Sequence, residues 1–419
     1  MIKFVTFNEA RFLAAMLFTL ASSIYGRKSC RRNAIFAIFV LYVAYGARNM
    51  VYLSLSLLLN IALVNLIKMD EYIITLINIL NIYLYKYIGH YLEPGISGTF
   101  DITGFLMILT IKMGYLVRDY DHNISNCLDY ILFVPGLLTG PTISYKIFLE
   151  TPEAKKFSFP IRNFVFTLAL GMLYAILKCF DFKHYILDNS TAFPKKLLSL
   201  YLYNLSGRSK FHFSWTFAHC CFILRGFPGY LNIDFKSVEF CESVREIATN
   251  WNKFVSSWTR EFFFLPLKGR STRLAVLVSY LATATLHGFN LCYFIFSLSF
   301  CIYSQPITRA NELIKFRTLR IIQMFGFVSY FSMPFYLLDY KELYHVWKNL
   351  YFFGHIYCTF WLIFFKIRKN APKSDKKSAG REVNDAAKLD STKPFSHQNS
   401  PVKFVGEKAG AMPYVKAKA

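Results

Sequence analysis

The stretch LAVLVSYLATATLHGFNLCYFIFSLSF, residues 274–300, decides the fold class. It contains no Asp, Glu, Lys or Arg and exceeds the ~20 residues a helix needs to cross a bilayer core. Its run extends over about 273–303, and comparable apolar runs recur at 10–25, 34–47, 50–67, 71–89, 101–118, 128–147, 161–180, 195–205 with 211–225 as a broken pair, 317–338 and 342–366. Together they predict an all-α polytopic membrane protein with about ten or eleven transmembrane helices. Composition agrees: at 54% hydrophobic and 17% charged residues, too little polar surface remains for a soluble globule. Pro135, Gly136, Gly140 and Pro141 interrupt one run. Broken backbone at membrane depth must be shielded by protein or line a cavity, as in a membrane enzyme or transporter.

The 48 Lys and Arg exceed the 25 Asp and Glu, for a net charge of +23. These basic residues lie mostly between apolar runs, which excludes nucleic acid as a partner and fits positive cytosolic loops. Lys3 and Arg11 precede the first run and Arg27, Lys28, Arg31 and Arg32 follow it, so an uncleaved first span with a lumenal N-terminus is expected. Residues 1–366 are read as the membrane domain. Residues 367–419, with 12 Lys and Arg against 5 Asp and Glu, are read as a disordered cytosolic tail. Nine scattered cysteines suggest no disulfide framework. His212, His219, Cys220 and Cys221 sit in an aromatic membrane segment, and no metal site is expected from them.

Residues 232–273 form a polar island in this apolar chain, with Glu239, Glu242, Arg245, Glu246, Asn250, Asn252, Lys253 and Arg260 interleaved with Phe and Trp. The spacing of Glu239, Glu242 and Glu246 predicts an amphipathic helix at the interface or beside a cavity. The next run holds His287 near its middle, flanked by the small residues Ala282, Thr283, Ala284, Thr285 and Gly288. An ionisable group at that depth is either functional or a neutral imidazole satisfied by a neighbouring helix. A neutral imidazole can take a proton from an attacking alcohol, and an amide such as Asn252 can orient a hydroxyl or bond an oxyanion without adding charge.

Several blocks, in order, resemble the membrane-bound O-acyltransferase family and, within it, the lysophospholipid acyltransferases. Asp101-Ile102-Thr103-Gly104 with Met107, Lys112 and Asp119 is similar to the first, and Leu138-Thr139-Gly140-Pro141 with Ser144-Tyr145 to the Gly-Pro loop. Gly226 to Tyr230 then precedes Ser237-Val238-Glu239-Phe240, Arg245, Trp251-Asn252 and Trp258, and His287-Gly288 follows 35 residues after Asn252. The likeness spans about residues 95–300. Two departures occur: the His-Asp-Gly usual after the first block reads Arg118-Asp119-Tyr120, and the Trp usual before His-Gly is Leu286.

The resemblance implies a helical bundle around a buried chamber and an active-site pair of Asn252 and His287. It implies acyl transfer from acyl-CoA, a co-substrate and not a bound cofactor, to the free hydroxyl of a lysophospholipid, with His287 as base. Trp251, Trp258, Glu239, Arg245, Asp101 and Lys112 become candidate substrate-binding residues. Arg260 and Lys268, with Arg270 and Arg273, are candidates for the phosphates of coenzyme A on the cytosolic side. The endoplasmic reticulum membrane is the expected location. Alternatives are a protein, sterol or diacylglycerol acceptor, or a lipid transporter or scramblase, against which the absence of an evident internal repeat weighs.

Overall fold

The computed structural model describes residues 7–25, 30–67, 69–89, 101–151, 159–227 and 230–370. Lys3, Arg27, Lys28, Pro228, Gly229 and the tail beyond Asn370 lie outside the described residues, as do the side chains of Arg31 and Arg32. The chain divides into a compact unit, Met1–Ile363, and a second, Phe364–Ala419. Among the described residues every regular element is helical.

Helices α1 (Phe7–Tyr25), α2 (Cys30–Leu66) and α3 (Glu71–Tyr87) pack antiparallel in sequence. The runs 34–47 and 50–67, expected as separate crossings, are one 37-residue element broken at Gly46, whose φ of 78° and ψ of 168° are not helical. Unbroken, it would be ~55 Å long, nearly twice a ~30 Å bilayer core. Arg11 of α1 seats its guanidinium at the break, Nε donating to the Val43 carbonyl at 3.0 Å and Nη2 to that of Tyr42 at 3.2 Å. The positive φ at position 46 favours glycine, and a Cβ there would lie 2.9 Å from that guanidinium and displace it. The second half of α2 meets α3 along a polar seam, where Asn60 and Asn78 exchange amide hydrogen bonds at 3.0 and 2.7 Å. Such bonds join helices where apolar contact alone does not favour association over lipid.

Helix α4 (Thr103–Arg118) packs against α3 and is buried along most of its length. The run 128–147 is not a crossing. It folds as α5 (Ile124–Ile131), an irregular buried segment carrying the Pro and Gly residues, and α6 (Tyr145–Glu150). This irregular backbone survives because protein supplies its partners, among them the Lys112 ammonium, which donates to the carbonyls of Tyr130 at 2.8 Å and Ile131 at 3.1 Å.

Next come α7 (Ile161–Lys178), α8 (Phe182–Leu187) and α9 (Phe193–Leu224). The expected broken pair at 195–225 is the single 32-residue helix α9. Polar residues near its middle interrupt the apolar pattern without interrupting the helix, because Arg208 finds a buried counter-charge elsewhere. The polar island is not one amphipathic helix. It is a chain of short elements: α10 (Phe235–Glu239), α11 (Val244–Asn250), α12 (Lys253–Thr259), a π-helical turn at Arg260–Phe264 and α13 (Leu265–Lys268). Asp234 and Ser243 cap the first two, accepting from the backbone N–H groups of Ser237 and Glu246.

The deciding stretch is two helices, α14 (Thr272–His287) and α15 (Leu291–Glu312), parted at Gly288. Helices α16 (Arg317–Phe331), α17 (Met333–Leu337), α18 (Tyr340–Asn349) and α19 (Phe353–Asn370) complete the described chain.

Among the described residues, Ala34–Leu66, Ile161–Lys178 and Leu291–Glu312 are each long and apolar enough to cross a bilayer, and Tyr340–Asn349 with Phe353–Lys369, bent by 78°, would be a fourth. That is fewer than the crossings expected. Helices α3, α4, α14 and α16 have only 15–17 residues, and at 1.5 Å per residue they fall short of a ~30 Å core on their own. Apolar side chains cover much of the exterior: Leu76, Leu80 and Leu84 on α3 and Val165, Met172 and Ile176 on α7 are more than half exposed. Facing water they would be a liability; facing lipid they are solvated. One buried core gathers α1 to α5 and a second gathers α15 to α18. Trp258, Phe262 and Leu286 belong to the first, and Cys241 and Val244 to the second, so the polar island and α14 bridge the two.

Candidate active site

His287 is the last residue of α14, held there by its backbone. Gly288 at φ 105° turns the chain out of the helix, and the Lys86 ammonium of α3 donates to the His287 carbonyl at 2.7 Å. The imidazole stacks on Tyr293, centroids 5.1 Å apart, and meets the edge of Phe335 at 5.0 Å. Among the described residues its ring nitrogens have no hydrogen-bond partner. The backbone is therefore fixed, the ring plane is set by aromatic contact, and the lone pair is open to a substrate.

Asn252 begins α12 in the left-handed region, φ 44° and ψ 57°, a conformation that Asn tolerates better than most residues. Asn232, which is buried, holds the turn by three bonds. Its amide donates to Asn252 Oδ1 at 3.1 Å, its side-chain oxygen accepts from the Phe254 N–H at 2.9 Å, and its carbonyl accepts from the Lys253 N–H at 2.9 Å. With Oδ1 taken, the Asn252 Nδ2 group is left to donate.

No hydrogen bond joins Asn252 to His287. A series of side-chain contacts links their surroundings instead. From His287 the contacts run through Phe335 to its neighbour Tyr336, whose ring lies against Gly207 of α9. Arg208 follows, clamping Glu239 through two bonds of 2.8 Å, and His212 Nε2 reaches the same carboxylate at 2.9 Å. The Trp251 ring packs on His212, Phe211 and Trp215, with centroids 6.1, 5.7 and 5.3 Å apart, and Asn252 is next in sequence. Helices α12 and α14 also pack directly.

Glu239, Arg208 and His212 are all buried. Burial pushes the Glu239 carboxyl up, but Arg208 and the bond from His212 outweigh it and hold the group at about 2. Both oxygens of Glu239 accept hydrogen bonds within the protein, and the Lys112 ammonium donates to two backbone carbonyls. Trp258 is fully buried among Phe262 and Phe263. Asp101 accepts from the N–H and hydroxyl of Thr103 at the head of α4, and acts electrostatically on Lys86 and Tyr293. Arg245 is exposed on α11, Arg260 opens the π-helical turn and Lys268 ends α13. Lys268, Arg270 and Arg273 lie at the start of α14, one helix length of ~24 Å from His287.

A cavity of about 280 Å³ adjoins α12 through Phe254 and Ser257, with Arg118, Asp119, Lys146 and Glu261 on its other walls. Arg118 spans Glu71 at 2.7 Å and Glu261 at 3.5 Å and lies over the Phe262 ring, 3.7 Å from its centroid. Burial pushes the Glu261 carboxyl up against the opposing pull of Arg118. Sequence reasoning missed Arg208, the role of His212, Lys86, Asn232, Tyr293 and Phe335. Arg208 carried the same signal as His287, an ionisable side chain within an apolar helix.

The described helices form a body with much apolar exterior, holding within it an imidazole with no hydrogen-bond partner among the described residues and an anchored amide. The membrane-bound O-acyltransferase family matches residues 55–336, and the chain belongs to that family. Among curated relatives, it is 23% identical to a lysophospholipid acyltransferase of Saccharomyces cerevisiae over 66% of this chain and 59% of that one, and 24% identical to one of Schizosaccharomyces pombe over 58% of each. The mouse membrane-bound glycerophospholipid O-acyltransferase 1 is 23% identical over 61% of this chain and 58% of its own. The human protein-serine O-palmitoleoyltransferase porcupine is 27% identical, but over 43% and 46%. The chain thus spans a little under three fifths of the lengths of its phospholipid-acting relatives.

Proposed function

We propose that the protein transfers a fatty acyl group from acyl-CoA to the free hydroxyl of a lysophospholipid. The observation that carries this is the state of the two polar groups: the His287 ring nitrogens are open to a ligand, and Asn252 has its oxygen anchored and its N–H group to spare. His287 takes the hydroxyl proton as that oxygen attacks the thioester carbon. The Asn252 amide bonds the oxygen that becomes negative in the tetrahedral intermediate, or orients the attacking hydroxyl. Collapse expels the thiolate of coenzyme A, which recovers the proton from the imidazolium. Arg260, Lys268, Arg270 and Arg273, between the Asn252 and His287 elements, hold the phosphates of coenzyme A, and its extended arm carries the thioester toward His287. The site works in the endoplasmic reticulum membrane on this reading, and tagged protein co-fractionating with another membrane would correct that location.

The names of the two fungal relatives favour a lysophospholipid acceptor. A protein acceptor is the second reading, favoured by the likeness to porcupine. Purified protein in detergent, given labelled long-chain acyl-CoA with a panel of lysophospholipids and a serine-bearing peptide, separates them. Label in phospholipid is the expected result; label in peptide alone would replace the acceptor.

A further inference from the structure

We infer that Arg208 and His212 are positioning residues, which act through Glu239 and Trp251 to hold Asn252 in its working orientation; this rests on the catalytic reading above. All three members of the triad are buried, and the Arg208 to Glu239 contact is the planar, two-bonded kind that fixes orientation as well as distance. Glu239 ends α10 and Asn252 begins α12, so one carboxylate gripped from α9 ties down the polar island that delivers the Asn. His212 serves on two sides: Nε2 bonds Glu239, and the ring face packs on Trp251, the residue before Asn252. Asn252 itself sits in the left-handed region, which Asn tolerates better than most residues. Asn232 fixes the turn locally, whereas the triad fixes where the turn sits relative to α9 and, through Tyr336 and Phe335, relative to His287.

The test is steady-state acyl transfer by full-length protein in detergent, with thermal unfolding of each variant and with His287→Ala alongside. His212→Phe keeps the ring and loses the bond, and is expected to lower kcat by roughly 100-fold while KM for acyl-CoA and lysophospholipid stays within about 2-fold, the mark of misalignment. His212→Gln, whose amide reaches as far as Nε2, is expected to recover most of that loss. Arg208→Met combined with Glu239→Leu replaces the buried pair by apolar groups. Such swaps are tolerated by folding, so this variant should unfold near the wild-type temperature and still turn over slowly. Wild-type kcat in His212→Phe, no recovery in His212→Gln, or wild-type kcat in the double variant would each overturn the inference. An inactive His287→Ala beside a fully active His212→Phe contradicts the triad's role alone, whereas a fully active His287→Ala contradicts the catalytic reading beneath it.

Discussion

At the residue scale the chemistry depends on which atoms are already occupied. Asn252 gives its oxygen to Asn232, so its useful group is the N–H donor. Asn252→Asp keeps the shape and loses that donor, and is expected to lower kcat by about 10²–10³-fold, in line with removal of one oxyanion donor. Asn252→Gly, which relieves the left-handed strain but leaves the buried Asn232 amide without its acceptor, should lose a similar factor; single-turnover rates with excess enzyme read both. Glu239 makes a prediction about acid. Its folded carboxyl is held at about 2, below the 4.5 of an unpaired glutamate. A depressed carboxylate contributes stability that is fully present above about pH 4.5 and is lost as pH falls from there towards 2. Unfolding temperatures in detergent should therefore drop across that window, and by less in the Arg208→Met, Glu239→Leu variant. An equal drop in both would refute the assignment. His287 was legible in the sequence because a lone imidazole stands out in an apolar run. Arg208 was equally visible, but its meaning depends on Glu239, 31 residues away in sequence, and only tertiary packing brings the two together.

At the element scale, helices are easier to place from residue pattern than the breaks within them. Local apolarity marked 34–47 and 50–67, yet no turn separates them; the break is a single residue, Gly46, stabilised by an arginine from another helix. The polar residues in α9 looked like an interruption because their partners were invisible. The Pro and Gly residues of 128–147 did signal irregular backbone, and what could not be read was that Lys112 would cap it. Gly288 has the same importance for α14. A Cβ there would lie 2.8 Å from the Lys86 Nζ that holds the His287 carbonyl, on a backbone with φ 105°. Gly288→Ala should cost about 1–3 kcal/mol of stability and shift His287 as well. Activity per folded molecule should fall, measured as turnover normalised to active protein by gel filtration. Unchanged turnover would show that Lys86 does not set the imidazole.

At the scale of the whole molecule, the family match over residues 55–336 covers the Asn252 and His287 elements together. Composition indicated the membrane, and apolar runs too long for strands indicated helices, since each must satisfy its own backbone in lipid. The number of crossings was less legible. Short helices that lean on neighbours need not each be 20 residues long, and hydropathy cannot see the neighbours. Orientation follows from charge: with Lys3 and Arg11 before the first helix and four basic residues after it, a tag at Met1 should resist protease added to sealed microsomes and be cleaved once detergent opens them. Cleavage in sealed vesicles would invert the topology.

In the proposed reaction everything turns on the His287 imidazole as the base in acyl transfer. The most direct test compares wild-type and His287→Ala protein, both shown to be folded, for transfer of labelled acyl groups from acyl-CoA to lysophospholipid. A loss of at least 10²-fold in the variant, the lower end of what a general base contributes, is the predicted result; equal rates, or no transfer by the wild-type protein to any lysophospholipid, would contradict it.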